Sequence, residues 1–202
     1  MLPSARSSYN GLLQVAIENA PTPGRTAERH RPYPAHLVRS ARLADGATIV
    51  IRPITPEDAK IEQEFVRGLS PESRYFRFME VLRELSPQML SHFTRIDYDR
   101  HMALIAVTPG GERQIGVARY IATADNRDCE FAIVIADDWQ NRGVATLLMD
   151  ALMDAARGRG LRRMFGDVLA ANHKMLDLMH RLGFRSARHP DDPGLVRVET
   201  AL

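Results

Sequence analysis

Residues 129–160 restrict the possible folds of this chain more than any other stretch does. Cys129–Ala136 is apolar on both faces apart from Glu130, a pattern that is typical of a strand buried inside a sheet. After a short loop, Gly143–Arg159 carries apolar residues on one stripe at helical spacing, and Gly160 ends the pattern. The stripe consists of Val144, Leu147, Leu148, Ala151, Leu152 and Ala155. A buried strand that leads into a long amphipathic helix predicts a layered α/β structure.

Further elements alternate between strand and helix patterns along residues 47–200. Thr48–Arg52 is a predicted strand that ends at Pro53, and a Pro-Gly-Gly turn joins the predicted strands Met102–Thr108 and Gln114–Ala122. Helix starts that combine a hydroxyl cap with a proline at the first helical position occur at Thr55, Ser70 and Ser86. The remaining predicted elements are a strand over Met164–Leu169, a helix over Asn172–Leu182 and a strand over Leu195–Thr200. This order predicts a mixed α/β sheet with helices packed on it.

Length and composition exclude several classes of protein. The chain has 202 residues, of which 45% are hydrophobic and 26% charged, as expected for one globular domain with an ordinary core. Its one cysteine, Cys129, excludes a disulfide framework and a multi-cysteine zinc site. No apolar run approaches the roughly 18 residues that a membrane span needs. We therefore expect a cytoplasmic protein that binds neither a membrane nor a metal.

The charge pattern argues against nucleic acid as a partner. The net charge is +2, and all the basic residues except Lys60 and Lys174 are arginines. These arginines alternate with acidic residues along the chain and form no basic block, whereas a nucleic-acid-binding protein needs a concentrated basic face.

Residues 1–40 are a predicted N-terminal extension, and residues 41–202 are the predicted domain. Four prolines between residues 21 and 34 disfavour regular structure and permit flexibility. Leu12–Ile17 has two interpretations, which both stay open: a short amphipathic helix that docks on the domain or on a partner, or a frayed end.

The loop between the buried strand and the long helix reads Gln-Asn-Arg-Gly-Val-Ala over residues 140–145. The start of a helix presents free backbone N–H groups and the positive end of the helix dipole, and Gly143 has no side chain to block their approach. Such a cup binds phosphate or pyrophosphate. The loop lacks the Lys-Ser pair of a P-loop and the three glycines of the dinucleotide fingerprint. It is therefore either a phosphate-binding cup or a tight strand-to-helix turn.

Gln140, Gly143 and Ala145 after a strand resemble the pyrophosphate signature of the GNAT family of acyl-CoA-dependent N-acetyltransferases. Asn172, Leu178 and Gly183-Phe184 resemble that family's second cofactor motif. The resemblance covers residues 47–200 and implies an α/β fold with a mixed, largely antiparallel twisted sheet flanked by helices. Within the family, Leu69–Phe78 and Ile96–Asp99 are similar to the acetyltransferase domain of bacterial protein lysine acetyltransferases.

The resemblance also implies how acetyl-CoA binds. Backbone amides of Gln140–Thr146 would hold the pyrophosphate, and the main chain of Ile133–Ile135 would pair with the pantetheine arm, which requires an opening beside that strand. Asn172 would donate a hydrogen bond to the cofactor, and Arg142 would either contact a phosphate or remain a solvated loop arginine. The predicted cofactor-binding residues are Ile133, Val134, Ile135, Gln140, Asn141, Arg142, Gly143, Val144, Ala145, Thr146 and Asn172.

Glu130 is the predicted catalytic residue. A lysine amine with a reference pKa of about 10.4 must lose a proton before it can attack a thioester, so the reaction needs a base. Glu130 shares a face with Ala132 and Val134 on a strand that otherwise reads as buried, where a carboxylate must pair or open into a cleft. In the protein acetyltransferases that the chain resembles, a glutamate at this position is the general base. The alternative is a structural ion pair with an arginine.

Other reactive side chains near the motifs have weaker support. Relatives often carry a tyrosine as general acid where this chain has Met179, whose thioether cannot donate a proton. Possible replacements are Tyr98, Tyr120 and His180. Cys129 suggests a covalent acyl-cysteine route, but strand alternation places it opposite Glu130, so we predict a buried structural thiol. The acidic residues Asp97, Asp99, Asp125 and Asp128 would form either an acidic rim or, more commonly, turn caps.

Together these features predict an acetyl-CoA-dependent N-acetyltransferase that uses direct transfer with a glutamate base and no metal. The resemblance implies a protein lysine side chain as the acceptor. Two alternatives stay open: an enzyme that acetylates a small amine, and a non-catalytic acyl-CoA-sensing module.

Overall fold

An eight-stranded sheet forms the centre of the computed structural model, which describes residues 31–202. The strands are β1 (Arg39–Arg42), β2 (Thr48–Pro53), β3 (His101–Val107), β4 (Gln114–Ala122), β5 (Asp128–Ile135), β6 (Arg163–Leu169), β7 (Arg185–Arg188) and β8 (Leu195–Ala201). The α-helices are α1 (Ala59–Gly68), α2 (Pro71–Phe78), α3 (Pro87–Thr94), α4 (Val144–Gly158) and α5 (His173–Arg181). The predicted Leu12–Ile17 helix lies outside the described residues.

The sheet is mixed and largely antiparallel, as predicted. The strand order is β1-β2-β3-β4-β5-β6-β8-β7, and each neighbouring pair is antiparallel except β5 and β6. The parallel pair is short, because only Asp128–Glu130 of β5 has partners on β6. Beyond Glu130, β5 continues to pair with β4 alone, so the sheet opens between β5 and β6.

A large ring lies at the point where β5 and β6 separate. A Cβ atom on Gly166 of β6 would lie 2.9 Å from the Phe131 ring, so only glycine leaves room for that ring. On its other side, the Phe131 ring packs against Phe184 with 5.3 Å between centroids. The separation of the strands is therefore held by a packed aromatic cluster.

The helices cover both faces of the sheet. Helix α4 packs across β3, β4 and β5 on one face, where a Cβ on Gly116 would lie 3.1 Å from Leu148 of the helix. The glycine therefore allows the close approach of α4 to β4. On the other face α1 contacts β4 and α2 contacts β5. None of the helices within residues 31–202 is long and apolar enough to cross a membrane.

The predicted helix starts form as expected at two positions and differently at the third. The Ser70 hydroxyl accepts a hydrogen bond from the Ser73 N–H at 3.1 Å, and the Ser86 hydroxyl accepts one from the Met89 N–H at 3.2 Å. At Thr55 the chain first makes a 3₁₀ turn over Pro56–Asp58, which then leads into α1.

Two strands, β1 and β7, are absent from the sequence-based prediction. Both read Arg-Ser-Ala-Arg, which is too short and too polar to give a strand signal, and they form the two edges of the sheet. The predicted boundary between residues 40 and 41 falls inside β1, whose four residues pair with β2. The sheet thus begins at Arg39, and the division into an extension and a domain stays a prediction.

A buried ion pair links α1 to the middle of the sheet. The carboxylate of Glu62 lies 3.1 Å from the guanidinium of Arg119 on β4, and both side chains are only 2% exposed. The Gln114 amide donates to the other Glu62 oxygen at 2.5 Å, and the Arg119 guanidinium lies 4.2 Å from the centre of the Phe93 ring. Since both charges are buried, each depends on the other for compensation.

We expect Glu62→Gln to lower the free energy of unfolding by about 3–5 kcal/mol in urea denaturation, because it leaves the Arg119 charge buried without a counter-ion. Glu84→Gln is the matched control, since Glu84 pairs with Arg67 at 2.6 Å on the surface. Such exposed pairs contribute about 0–1 kcal/mol. Equal losses for the two variants would contradict this assignment.

Candidate active site

A groove of about 350 Å³ follows the edge of β5 that β6 leaves free. This volume is within the range of small-molecule sites. The lining residues from β5 and the following loop are Ile133, Val134, Ile135, Trp139, Gln140, Asn141, Gly143, Ala145 and Thr146. Those from α2 and from the α5 region are Glu72, Ser73, Phe76, Arg77, Asn172, Lys174, Met175, Leu178 and Arg181. Nine of the eleven predicted cofactor-binding residues therefore lie together in one groove.

Unpaired backbone groups characterise this groove. Residues 131–135 of β5 have no strand partner on the β6 side. The N-terminus of α4 meets the same groove at Gly143, which has a φ of +86° and provides no side-chain cap. A Cβ at Gly143 would have no atom within 4 Å, so the space in front of the first turn is open. The groove thus combines a free strand edge with the uncapped N–H groups of a helix.

The loop that forms the cup is held by its own glutamine. The Gln140 amide donates to the Ile135 carbonyl and to the Ser73 hydroxyl, at 3.3 Å each. Asn141 adopts a left-handed φ of +60°, which turns the chain toward Gly143. Asparagine tolerates this conformation better than most residues.

The structure places two predicted cofactor-binding side chains outside the groove. The Arg142 guanidinium pairs with Asp45 at 2.6 Å and lies 4.0 Å from the centre of the Trp139 ring, so it is neither a groove residue nor a solvated arginine. The Val144 side chain is 1% exposed and packs into the core, which leaves only its backbone N–H near the groove. The ion pair with Asp45 differs from both side-chain roles considered for Arg142, whereas the backbone contact expected of Val144 stays a prediction.

Helix α2 is tied to the loop that follows β5. The carboxylate of Asp137 accepts hydrogen bonds from the Ser70 N–H at 2.8 Å, from the Ser70 hydroxyl at 2.8 Å and from the Ser73 hydroxyl at 2.7 Å. One wall of the groove is thereby fixed relative to its floor.

Glu130 lies at the end of the β5–β6 pairing, three residues before Ile133, the first residue of β5 that lines the groove. It is cross-strand neighbour to Ile121 on β4 and to Phe165 on β6, so its side chain shares the sheet face of α1 and α2. Burial raises the pKa of Glu130 to about 7, and the negative charge of Asp167 adds to this rise. The positive charges of Arg197 and Arg77 act in the opposite direction.

Within residues 31–202, Glu130 has no ion-pair partner at 4 Å or less, which contradicts the structural ion pair considered from the sequence. The reason is competition between carboxylates. The Arg197 guanidinium forms a two-pronged contact with Asp167 on the neighbouring strand, and Arg119 is paired with Glu62. Glu130 is therefore left as a partly buried carboxyl that can exchange a proton near neutral pH.

Cys129 is a structural thiol, as predicted. It is fully buried and lies on the opposite face of β5 from Glu130. Its sulfur lies 3.7 Å from the Arg163 carbonyl oxygen, and burial raises the pKa of the thiol to about 12. A thiol with this pKa is not a nucleophile at neutral pH.

Within residues 31–202, none of the three alternative acids contacts Glu130. The Tyr98 hydroxyl donates to the Ile54 carbonyl at 2.7 Å, and the Tyr120 ring is fully buried on the face of α4, opposite Glu130. His180 is exposed on α5, and Met179 is fully buried beside it.

Three acidic residues, in or next to the loops, bind neighbouring protein groups. The Asp97 carboxylate accepts hydrogen bonds from the N–H groups of Asp99, Arg100 and His101. Asp125 accepts from the Thr123 hydroxyl at 2.7 Å and from the Arg127 N–H at 3.1 Å. Asp128 pairs with Arg163 at 2.7 Å. Turn capping, the more common use of such residues, is confirmed for Asp97 and Asp125. No group of three metal-ligating side chains occurs within the described range 31–202.

The sequence analysis missed the side chains that α2 and α5 contribute to the groove. On α2 these are Ser73, Phe76 and Arg77, and on α5 they are Lys174, Leu178 and Arg181. Phe76 and Arg77 follow Ser73 by three and four residues, and Lys174 and Arg181 lie four and three residues from Leu178, so each set shares one helix face. Periodicity alone does not show which face meets a groove.

A family model described as an acetyltransferase (GNAT) domain matches residues 48–185. The chain belongs to the GNAT acetyltransferase family. This GNAT enzyme is an N-acyltransferase, and the family uses acetyl-CoA as its substrate.

Similar proteins agree with this family assignment. A Pseudomonas aeruginosa protein named as an acetyltransferase is 42% identical over 159 residues, which are 78% of this chain and 84% of that protein. Acetyltransferase Pat of Mycolicibacterium smegmatis is 30% identical over 159 residues. These are 78% of this chain but only 47% of that protein. The crystal structure of the GNAT domain of S. lividans PAT is 35% identical with a TM-score of 0.79, covering 85% of this chain and 100% of that chain. The fold is therefore the GNAT fold.

The raised pKa of Glu130 predicts a pH-dependent loss of stability. Between the ordinary carboxyl pKa of 4.5 and the folded value of about 7, the folded state binds more protons than the unfolded state, so stability falls as pH rises. Glu130→Gln removes this loss. We expect its free energy of unfolding to gain up to about 3 kcal/mol over the wild type between pH 5 and pH 8.

Urea denaturation at both pH values measures this difference. Glu80→Gln, at an exposed position, is the control and should show no comparable change with pH. A constant difference between Glu130→Gln and the wild type would contradict the raised pKa.

Proposed function

We propose that this GNAT enzyme transfers the acetyl group of acetyl-CoA directly to the side-chain amine of a protein lysine, with Glu130 as the general base. The observation that carries the proposal is the position of Glu130, which lies where the free edge of β5 begins. A carboxyl with a pKa of about 7 lies there at the end of a groove that suits an extended thioester.

The groove residues suit the parts of acetyl-CoA. The free edge of Ile133–Ile135 offers backbone groups to the amides of the pantetheine arm, as an added strand would. The first-turn N–H groups of α4 offer donors to the pyrophosphate. Lys174 and Arg181 add positive charge on the α5 side of the groove. The Asn172 Oδ1 already accepts from the Met175 N–H at 3.2 Å, so its amide NH₂ group is the part that would donate to the cofactor.

The chemistry follows from the state of Glu130. Its carboxylate form accepts the proton of the acceptor ammonium, and the neutral nitrogen then attacks the thioester carbon. The C–N bond forms as the C–S bond breaks, CoA leaves as the thiolate, and the nitrogen passes its second proton to that thiolate, so the products are the amide and CoA thiol. A base with a pKa near the working pH is suited to this step, because a large fraction is ionised and still basic. Arg77, which lies within electrostatic reach, favours the ionised form.

A protein lysine as acceptor is supported by the similarity of residues 69–78 and 96–99 to protein lysine acetyltransferases. The first of these segments contains all of α2, the helix that forms one wall of the groove. One observation favours the non-catalytic alternative: Met179 is fully buried and cannot donate a proton where relatives often have a tyrosine. Turnover measurements separate the two functions.

Gly143→Val tests the binding of acetyl-CoA. A β-branched residue at a φ of +86° is strained, and its side chain would fill the open space before α4. We expect the Kd for acetyl-CoA in isothermal titration calorimetry to rise at least about tenfold from the micromolar range, which corresponds to about −8 kcal/mol. Gly111→Val is the control, since Gly111 has a φ of +76° in the β3–β4 turn. Equal weakening by both variants would argue against binding at Gly143.

Glu130→Gln tests the base. We expect kcat for transfer to lysine peptides to fall by about 10²–10⁴-fold, while the Kd for acetyl-CoA stays unchanged. Cys129→Ser is the control and should retain turnover. The assay measures CoA release with lysine peptides and with a panel of small amines.

The outcomes distinguish the candidate functions. Near-wild-type turnover by Glu130→Gln would exclude the base role. Turnover with small amines alone would identify a small-molecule acetyltransferase. Binding without any turnover by the wild type would identify the acyl-CoA-sensing module.

A further inference from the structure

Arg77 is a charged groove residue without a partner among residues 31–202. Its guanidinium forms no hydrogen bond or ion pair there, and it lies 5.0 Å from the centre of the Phe78 ring. The side chain is partly buried and lines the groove. Arginines in such positions commonly pair with a carboxylate or a phosphate.

The position of Arg77 is fixed by its neighbours. The Phe78 ring is 2% exposed and stacks on the Phe93 ring with 6.4 Å between centroids. Met79 ends α2 in a left-handed conformation, and its N–H donates to the Tyr75 carbonyl at 2.7 Å. Since Asp137 holds the other end of α2, the helix that carries Arg77 is held at both ends.

The charges around Arg77 leave it uncompensated. From α1 and β4, Glu62 and Arg119 neutralise each other, and from β6 and β8, Asp167 and Arg197 do the same. His92 of α3 and His101 of β3 are neutral at pH 7, because burial lowers the pKa of both. Glu130 is the remaining acid within reach, and it is only partly ionised at that pH. Burial lowers the pKa of Arg77 to about 9, so it still carries its charge.

Arg77 lines the groove that is proposed to hold the donor. Arg77 lines the same groove as Ile133–Ile135 and Gln140, whereas Glu130 is not among the lining residues of that groove. Ser73 of α2 contacts Gln140 and Asp137 in the loop that follows β5, and Arg77 lies one helical turn further along α2, away from that loop. A fixed positive charge at this place does not attract a lysine ammonium. It attracts an anion carried by the acyl group itself.

We infer that Arg77 binds a carboxylate at the far end of the acyl chain, so that this enzyme accepts acyl-CoA donors derived from dicarboxylic acids, such as succinyl-CoA. The inference rests on the proposed function, since it assumes that the groove holds the donor. The guanidinium would bind the planar carboxylate through two parallel N–H donors. The reaction is unchanged: the amine forms the C–N bond, CoA leaves as the thiolate, Glu130 takes the proton, and the distal carboxylate remains intact.

Calorimetric titration with succinyl-CoA, butyryl-CoA and acetyl-CoA tests this inference without an acceptor. Butyryl-CoA has a four-carbon acyl chain like that of succinyl-CoA but no charge. We expect the wild type to bind succinyl-CoA at least about tenfold more tightly than butyryl-CoA. Arg77→Gln should bring this ratio close to one, and Arg77→Lys, which keeps the charge without the fork, should give an intermediate ratio.

Two controls locate the effect. Arg83→Gln, at an exposed position after α2, should leave the ratio and the affinities unchanged. Arg181→Gln should weaken all three donors by the same factor, because it would act on the common CoA part. The ratio of the two Kd values, for succinyl-CoA and butyryl-CoA, is the readout, because removal of the Arg77 charge also changes the pKa of Glu130.

The possible failures are distinguishable. Equal binding of succinyl-CoA and butyryl-CoA by the wild type, with acetyl-CoA still bound, would overturn the inference and leave the proposed function standing. A preference for succinyl-CoA that survives in Arg77→Gln would overturn the role of Arg77. Absence of binding by all three donors would overturn both the inference and the proposed function. The wild-type comparison holds even if Arg77→Gln does not fold.

Discussion

The short parallel pairing between β5 and β6 is the constraint on which the rest of the site depends. The pairing stops at Glu130, where the Phe131 ring fills the space over Gly166. Beyond this point β5 pairs with β4 alone, so its backbone lacks a strand partner on the β6 side, although buried N–H and C=O groups need a hydrogen-bond partner. The N-terminus of α4 opens at the same place without a side-chain cap. Two sets of unsatisfied backbone groups thus meet in one groove, which explains why so few of its predicted contacts depend on side chains.

The distribution of arginine–carboxylate pairs decides which charges remain available for chemistry. Asp167 occupies Arg197, Glu62 occupies Arg119 and Asp45 occupies Arg142. Glu130 and Arg77 are left without ion-pair partners among the described residues. Burial of an unpaired acid is unfavourable for stability, yet it brings the pKa of Glu130 to the range in which a base is useful. The proposed base role would thus come at the expense of local stability.

Much of the fold could be predicted from local patterns. Apolar periodicity located β2, β5 and α4 to within one or two residues, and the Ser70 and Ser86 caps form as the sequence indicated. The strands β1 and β7 could not be predicted, because their four residues become extended only where the sheet offers an edge. In the site, the loop over residues 140–146 was identified correctly as a lining of the groove, apart from the side chains of Arg142 and Val144. The α2 and α5 walls were missed.

The sequence by itself determined the strand–loop–helix unit, the sheet face on which Glu130 lies and the opposite face for Cys129. These properties follow from alternation, capping and backbone freedom, which act between residues close together in the chain. Only the tertiary structure decided where β5 and β6 separate, which arginines are already paired and how far the pKa of Glu130 rises. These depend on contacts such as that between Arg142 and Asp45, which are 97 residues apart. Ion pairing and burial are set by what packing brings together, and no local pattern carries that information.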